Sequence, residues 1–590
     1  MEFPRFTEVT RYRDMVSTFG GYNHRLSCVE GQFYDMKNMT SQYYPALSTR
    51  KNRGMVRQMK NPQGVSDQGS MMWLDDGILY IDGQEIKLKT KYSYPKRLVR
   101  MGAYVIINDT WYNTSTGEEG EMSATYVCPD NKVTFALCEA DGTAITWHDS
   151  EYYKENEPSN GDYMMSTVNG KASLKVYSAS TATWASVATT YIQITADGIG
   201  SNFEKGDGVE IQIDNSDAKW SYASNIFVND EGNGWLSTNT TIIDKKDNCI
   251  TITGILDANK AFGNMPIFVM RKVPDMEFVI ECNNRLWGCS KDGHEIYCCK
   301  LGDVKNWNVF EGVATDSWAV TIGSDGKFTG AITYLGNPIF FKEDSLIKVY
   351  VSGTGGHQIK ETKLRGVQEG SDQSLTILNE TLFYKSTTGV MAYTGNMPIC
   401  VSDDLGEVRY YDAVASSIDD RYYISMKDKE GKFHLFVYDT KTNIWCREDN
   451  TEVMYFCRDE DDLYYIDAKD KMMKSVYGTL LYEVPEKDTE GKFEWMAESG
   501  DIGYSSPDNK YVSQINIRIS LEFGTNVDFY LQYDSSGKWE HKFNMAGKGT
   551  RTFSIPVIPK RCDHFKYKIV GKGGCKIYSI TKTTEQGSDV

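Results

Sequence analysis

The chain has 590 residues, 81 acidic against 64 basic side chains and a formal net charge of −17. That balance argues against sequence-specific nucleic-acid binding, which draws most of its affinity from Lys and Arg neutralising phosphates. The length exceeds what one hydrophobic core usually serves, so several domains are expected, and the sequence holds no apolar run of the length a membrane-spanning helix needs. Thirty-eight Tyr, 24 Phe and 12 Trp, with 51 Gly and only 14 Pro, suit a twisted, turn-rich all-β protein.

Residues 1–70 come first and differ from all that follows. Phe19-Gly20-Gly21-Tyr22-Asn23, Gly31 to Met39 and Tyr43 to Arg50 place apolar anchors between turn residues without a sustained period, which predicts an extended amino-terminal arm. Such an arm lies across the scaffold, reaches a neighbouring subunit or simply leads in to close the first blade. Its opening, Met1-Glu2-Phe3-Pro4-Arg5, lacks the basic-then-apolar layout of a signal peptide, so synthesis in the cytoplasm is expected. Arg50-Lys51-Asn52-Arg53 is a local basic patch, read as a solvated turn or a protein contact in preference to a nucleic-acid site.

Two hairpins follow within 71–115, Met71 to Leu88 and Arg97 to Trp111, and they read as the first blades of a β-propeller. Residues 116–276 change character, with more Ser, Thr, Asn and Gly around short strands such as Ser173 to Tyr177, Tyr191 to Thr195 and Cys249 to Ile255. An inserted β-rich domain is expected there, since surface loops tolerate long excursions at small entropic cost.

The propeller reading rests on 277–485. Five aromatic strand cores begin at Asn284, Asn337, Glu380, Asp420 and Asp462, in steps of 53, 43, 40 and 42 residues, close to the roughly 40 to 50 residues of one four-stranded blade. With the two early hairpins this gives about seven blades, with six to eight allowed. Residues 490–590 carry evenly spaced strands, Val512 to Phe523, Val527 to Tyr533, Lys538 to Phe543, Arg551 to Pro556 and Phe565 to Val570. Their predicted turns are Gly524-Thr525-Asn526, Asp534 to Gly537 and Gly547-Lys548-Gly549. This predicts a carboxyl-terminal, jelly-roll-like β-sandwich.

A search for chemistry finds no catalytic, cofactor or metal residues. Thirteen scattered cysteines form no disulfide framework, and Cys282, Cys289, Cys298 and Cys299 lack the paired spacing of common zinc sites, so buried thiols are expected. Asp403-Asp404 and Asp459 to Asp462 contain acid pairs, but glycoside cleavage sets its carboxylates roughly 5 to 9.5 Å apart across a bond, and solvated hairpin turns are the preferred reading. Ser324-Asp325-Gly326 departs from a sialidase turn, and the seven histidines show no metal-ligand spacing. Asp214 to Asp217 is an oxygen-rich turn of the kind that can hold calcium, and Tyr533 with Trp539 is read as core packing in preference to a sugar platform.

Three stretches resemble virion proteins of tailed bacteriophages and prophages. The order of Phe19-Gly20-Gly21-Tyr22-Asn23, Asp35-Met36-Lys37-Asn38 and Pro45-Ala46-Leu47-Ser48-Thr49-Arg50 is similar to the opening of phage propeller proteins. Leu335 to Tyr350 with Leu382 to Tyr393 is similar to paired blades of tail-accessory or head-completion propellers, although Met391-Ala392-Tyr393 replaces the simpler blade edge. Tyr511 to Ser579 is similar to the sandwich ends of phage structural proteins, while 116–276 matches none of these. The resemblance implies a non-enzymatic adaptor or ring subunit at the neck or tail, localised in the virion and assembled in the host cytoplasm. Its partners would be copies of itself and adjacent virion proteins, with no cofactor and no membrane span; an acidic ring would also let DNA pass without sticking. The alternative is a tail protein that binds a host-surface carbohydrate or receptor.

Overall fold

The computed structural model describes residues 11–586 apart from 91, 93–96, 129–132, 169–170, 215–234, 257–259, 263–266, 460–461, 479–488 and 505–508. The propeller is decided by its seven antiparallel four-stranded sheets. Blade 1 runs from Pro62–Ser66 to Gln84–Ile86, blade 2 from Leu98–Met101 to Glu119–Glu121, and blade 3 from Met276–Glu281 to Trp318–Thr321. Blade 4 runs from Gly330–Tyr334 to Gln358–Lys363, blade 5 from Thr376–Leu378 to Ile399–Cys400, and blade 6 from Tyr410–Ile418 to Ile444–Asp449. Blade 7 takes three strands from Val453–Arg458 to Met472–Ser475, and its fourth is Gly54–Gln58 from near the amino terminus. The first strand of blade 7 packs against that of blade 1, which closes the ring.

The five aromatic cores are the second strands of blades 3 to 7, and their composition follows from having a neighbouring blade on each face. Leu286 enters the cluster between blades 2 and 3 while Trp287 enters the one between blades 3 and 4. Phe340 faces blade 3 and its neighbours Ile339 and Phe341 face blade 5. In blade 7, Leu463 and Tyr465 face blade 6 while Tyr464 and Ile466 face blade 1. The strand period of two therefore distributes each cassette between two cores. Burying one such aromatic contributes about 1.5–3 kcal/mol.

Two boundaries move relative to the sequence reading. Pro62–Ser66 and Gly54–Gln58 are blade strands, so the arm ends near Thr49 and not at 70, and the lead-in completes the last blade where closure of the first was an option. Blade 2 extends to Glu121, and the insert occupies Ala124–Cys128 through Ile267–Arg271. The arm lies across the scaffold. Gln32–Lys37 pairs with Glu494–Ser499, Arg11–Val16 and Leu47–Thr49 pair with the last strand, Cys575–Gln586, and the arm packs on the outer strand of blade 6.

The carboxyl-terminal unit is a sandwich made from one sheet folded on itself. Lys510–Tyr533 is a single 24-residue strand, and Glu540–Ile555 runs beside it along its length. The predicted turns at Gly524-Thr525-Asn526 and Gly547-Lys548-Gly549 are therefore not chain reversals. Their register jumps from Leu521↔Gly549 to Thr525↔Gly547, a bulge that bends both strands. Before the bend Lys510–Tyr533 pairs with Cys575–Gln586, and after it with Phe565–Lys572. This sets Ile515, Ile517 and Ile519 in one core with Val527, Phe529 and Leu531.

The insert is an eight-stranded sheet around Phe135, Ile192, Ile194, Ile211, Ile252 and Val269, with a small four-stranded sheet packed on it. Its root is fixed to blades 2 and 3. Arg271 pairs with buried Asp207 and donates to Met122 O at 2.9 Å, and Asn306 of the long blade-3 excursion donates to Asp207 Oδ1 at 3.0 Å. Among the described residues the one α-helix is Tyr152–Glu155, and no helix is long and apolar enough to cross a membrane.

Candidate interaction surface

The basic patch is an internal clamp. Arg50 and Arg53 are buried, at 7% and 5% exposed, because the chain turns there from the arm into blade 7. Arg50 makes a bidentate pair with Glu490, at 2.7 and 2.9 Å, and lies over Phe493. Arg53 donates to Glu448 at 2.7 Å and to Asp449 at 2.6 Å on the outer strand of blade 6. Burial pushes the Asp449 carboxyl up, but Arg53 and Thr451 pull it down further, leaving it at about 2. The clamp thus joins arm, blade 6, blade 7 and the segment entering the sandwich.

The other sequence candidates also serve packing. Cys298 lies in the cluster between blades 3 and 4 and Cys299 in the one between blades 2 and 3, because adjacent strand residues face opposite ways; the four thiols do not converge. Burial raises Cys289 to about 12 and Cys282 and Cys298 to about 11. Asp404 pairs with Arg25 of the arm and its carbonyl accepts from His24 N at 2.8 Å. Asp462 is buried and accepts from Ser475 Oγ and from Tyr477 N at 2.9 Å, while 460 and 461 lie outside the described residues. The carbonyls of Ser324 and Asp325 accept from Lys342 Nζ. Tyr533 is 3% exposed and packs in the core as expected, while Trp539 is half-buried with Lys568 Nζ 4.0 Å over its ring. Of the oxygen-rich turn, Asn215, Ser216 and Asp217 lie outside the described residues.

One contact set was not anticipated. At the hairpin tip 534–537, Ser535 Oγ lies 2.8 Å from His564 Nε2, and His564 Nδ1 lies 2.9 Å from Asp563 Oδ2. The order is that of a nucleophile, base and orienting acid. Its surroundings are those of a turn: the Asp563 side chain is 51% exposed, and the amide after Ser535, a natural oxyanion donor, is given to Tyr533 O at 3.1 Å. A nearby cavity of about 430 Å³, lined by Tyr12, Gly503, Lys510, Phe565 and Lys582, takes none of the three residues into its wall. A larger cavity of about 550 Å³ lies where blades 6, 7 and 1 meet, lined by Asp67, Asp82, Asp419, Arg458 and Asp459. Asp82 is committed to Met71 N and Asp419 to Tyr477 OH.

The insert carries a row of aromatic side chains on one face of its small sheet. In its small sheet Tyr177 and Trp184 are direct cross-strand partners, and His148 is in register with Met164. Alternation puts Met165 and Leu174 on the inner face and His148, Tyr177 and Trp184 on the outer one. The short helix Tyr152–Glu155 adds Tyr152 and Tyr153 to that outer face. Five rings then run in a row, His148, Tyr152, Tyr153, Trp184 and Tyr177, with successive centroids 3.7, 5.1, 4.9 and 5.2 Å apart. Tyr152 lies flat on His148 and remains 43% exposed. No period in the sequence marks this row; its signal is the return of Trp and Tyr between 147 and 184 in a stretch rich in Ser and Thr.

No family model matches the chain, and no curated protein matches it. Among solved structures it is similar to Hsv2 of Kluyveromyces marxianus, at 10% identity and a TM-score of 0.23, over 37% of this chain and 64% of that one, less than two thirds of its length. It is also similar to PorZ, a surface component of the type-IX secretion system of Porphyromonas gingivalis, at 12% identity and a TM-score of 0.26, over 88% and 82% of the two chains. An exo-β-1,3-galactanase from Phanerochaete chrysosporium matches at 8% identity and a TM-score of 0.20, over 52% and 94%. The ring is accordingly established by its own strand pairings, and these likenesses carry no argument about activity.

Proposed function

We propose that this chain is a non-enzymatic structural protein of a tailed bacteriophage particle, a propeller-based adaptor or ring subunit at the neck or tail that contacts copies of itself and adjacent virion proteins. The observation that supports the reading is the position of the arm. The stretches that resemble phage propeller proteins, Phe19 to Asn23, Gly31 to Met39 and Tyr44 to Arg50, are the ones woven into the carboxyl-terminal sheet and pressed on blade 6. A subunit under tension gains from this, because pulling on either end loads a sheet that both ends share. The engagement of Asp404 and Asp462 and the burial of Cys282, Cys289, Cys298 and Cys299 agree with a role as building material.

The test is mass spectrometry and electron microscopy of particles purified from the producing host. The expected result is a fixed copy number per particle, with ring density at the neck or tail. A chain left in the host lysate and absent from particles would overturn the reading. For an acidic ring on the DNA path, duplex DNA should not be retained even at low salt. A second reading, a tail protein that binds a host-surface carbohydrate or receptor, is favoured by the aromatic row of the insert.

A further inference from the structure

We infer that the outer face of the insert's small sheet is a binding site for a linear, uncharged oligosaccharide, held along the row His148, Tyr152, Tyr153, Trp184 and Tyr177. This rests on the row's geometry and not on the location of the subunit in a particle. The face follows from the sheet: period-two alternation sends the aliphatic residues Met165 and Leu174 into the insert core and leaves the rings on the side away from it.

The chemistry around the rings selects the ligand. The segment 173–190 holds eight Ser or Thr residues and one charged side chain, Lys175, in a chain that is 25% charged overall. Beyond the flat pair His148–Tyr152, the rings meet edge to face or tilted, at 89° for Tyr152–Tyr153, 60° for Tyr153–Trp184 and 56° for Trp184–Tyr177. The row thus offers ring faces and edges in turn beside neutral hydroxyls, which matches a sugar, whose C–H groups pack on rings and whose hydroxyls need donors and acceptors without ionic partners. At the other end of the row Asp149, Glu151, Glu155 and Glu157 are exposed against a single lysine, Lys154, which is paired with Glu151, and this net acidic rim, on a chain of charge −17, disfavours phosphate, sulfate and carboxylate. Stacked single-stranded nucleic acid, which also uses aromatic rows, needs a basic groove to hold its backbone. A contiguous apolar patch of the kind that marks a protein docking site is not seen: among the described residues of the insert, Val127 and Tyr152 are the large hydrophobic side chains that are exposed. A row of five rings suits a chain of sugars over a single one.

The test uses the full-length protein, titrated with chitohexaose, maltohexaose, xylohexaose and cellohexaose as neutral probes and with heparin and polysialic acid as anionic ones. Calorimetry gives the readout, with the change in intrinsic fluorescence that is lost in Trp184→Ala as a second, since Trp184 is one of twelve tryptophans. The expected result is saturable binding of at least one neutral hexamer, weaker binding of its dimer, and none of the anionic polymers. Trp184→Ala or Tyr152→Ala should each weaken binding about tenfold, the size of one lost stacked ring. Tyr152→Ala removes an exposed side chain and keeps the test valid if Trp184→Ala unfolds the small sheet. Silence with every neutral probe, binding confined to anionic polymers, or affinity unchanged in both variants would overturn the inference. Presence of the chain in purified particles would be unaffected by that failure, so the two readings fail separately.

Discussion

Replacing Arg53 with Met tests whether the arginine clamp holds the ring shut. Met fills much of the same volume and cannot pair with Glu448 or Asp449, which are now 2.7 and 2.6 Å from the guanidinium. Removing one partner of a buried ion pair costs about 3–5 kcal/mol, because the remaining charge has no water to return to. Part of that loss is offset here: Glu448 keeps Arg50 at 3.9 Å, and Asp449 keeps the Thr451 amide at 3.0 Å. The lower end of the range, about 3 kcal/mol, is expected, which corresponds to about a hundredfold. Hydrogen exchange with mass spectrometry should find it in Gly54–Gln58 and its partner Met472–Ser475, with the blade-3 strand Leu286–Ser290 as an internal reference. Protection of the closing strand should fall by about two orders of magnitude and that of the reference far less, since local opening is read separately from global unfolding. Adding Glu448→Gln and Asp449→Asn should recover much of the loss. Unchanged protection at 54–58, or an equal fall in both regions, would refute the clamp.

Four further outcomes follow from the same contacts. Asp449 sits at about 2 against an ordinary 3.8, so its ionised form stabilises the fold fully above pH 3.8; about 2–3 kcal/mol should be lost as pH falls through about 2, and acid titration of Arg53→Met should lack that step. Gly21→Ala adds a Cβ at φ +71 that overlaps Trp445 O and Ile444 Cγ2; with about 1–3 kcal/mol of strain, the arm should lift from blade 6 and trypsin should cut faster after Arg25. Of the thirteen cysteines, Cys28, Cys249 and Cys400 are half-buried and the rest buried, so a thiol reagent should label those three in the native protein, and zinc should not change the rate at Cys282, Cys289, Cys298 or Cys299. A fluorophosphonate should leave Ser535 unmodified; stoichiometric labelling lost in His564→Ala would show a working nucleophile and contradict the non-enzymatic reading.

The blade count was legible to within one because a blade strand has a neighbour on each face. That forces apolar and aromatic residues at successive positions, as in Leu463-Tyr464-Tyr465-Ile466, and the recurrence of such runs is a property of the linear chain. Composition likewise set the all-β class. The binding face and the clamp were not legible, because each depends on which residues of distant segments meet. Tyr153 and Trp184 are 31 positions apart and meet only when the short helix folds over the small sheet. Arg53 and Glu448 lie 395 positions apart, so the run Arg50-Lys51-Asn52-Arg53 reads as a surface patch until Gly54–Gln58 enters blade 7 and carries both arginines into the interior. Gly524 and Gly547 show the same limit on a smaller scale. Glycine permits a reversal or a bulge equally, and only the continuous pairing of Lys510–Tyr533 with Glu540–Ile555 selects the bulge. The sequence by itself determined what kind of strands this chain makes and how often they recur, since those follow from side chains a few positions apart; the tertiary structure alone decided closure, clamp and binding face, since those follow from contacts that the folded chain creates.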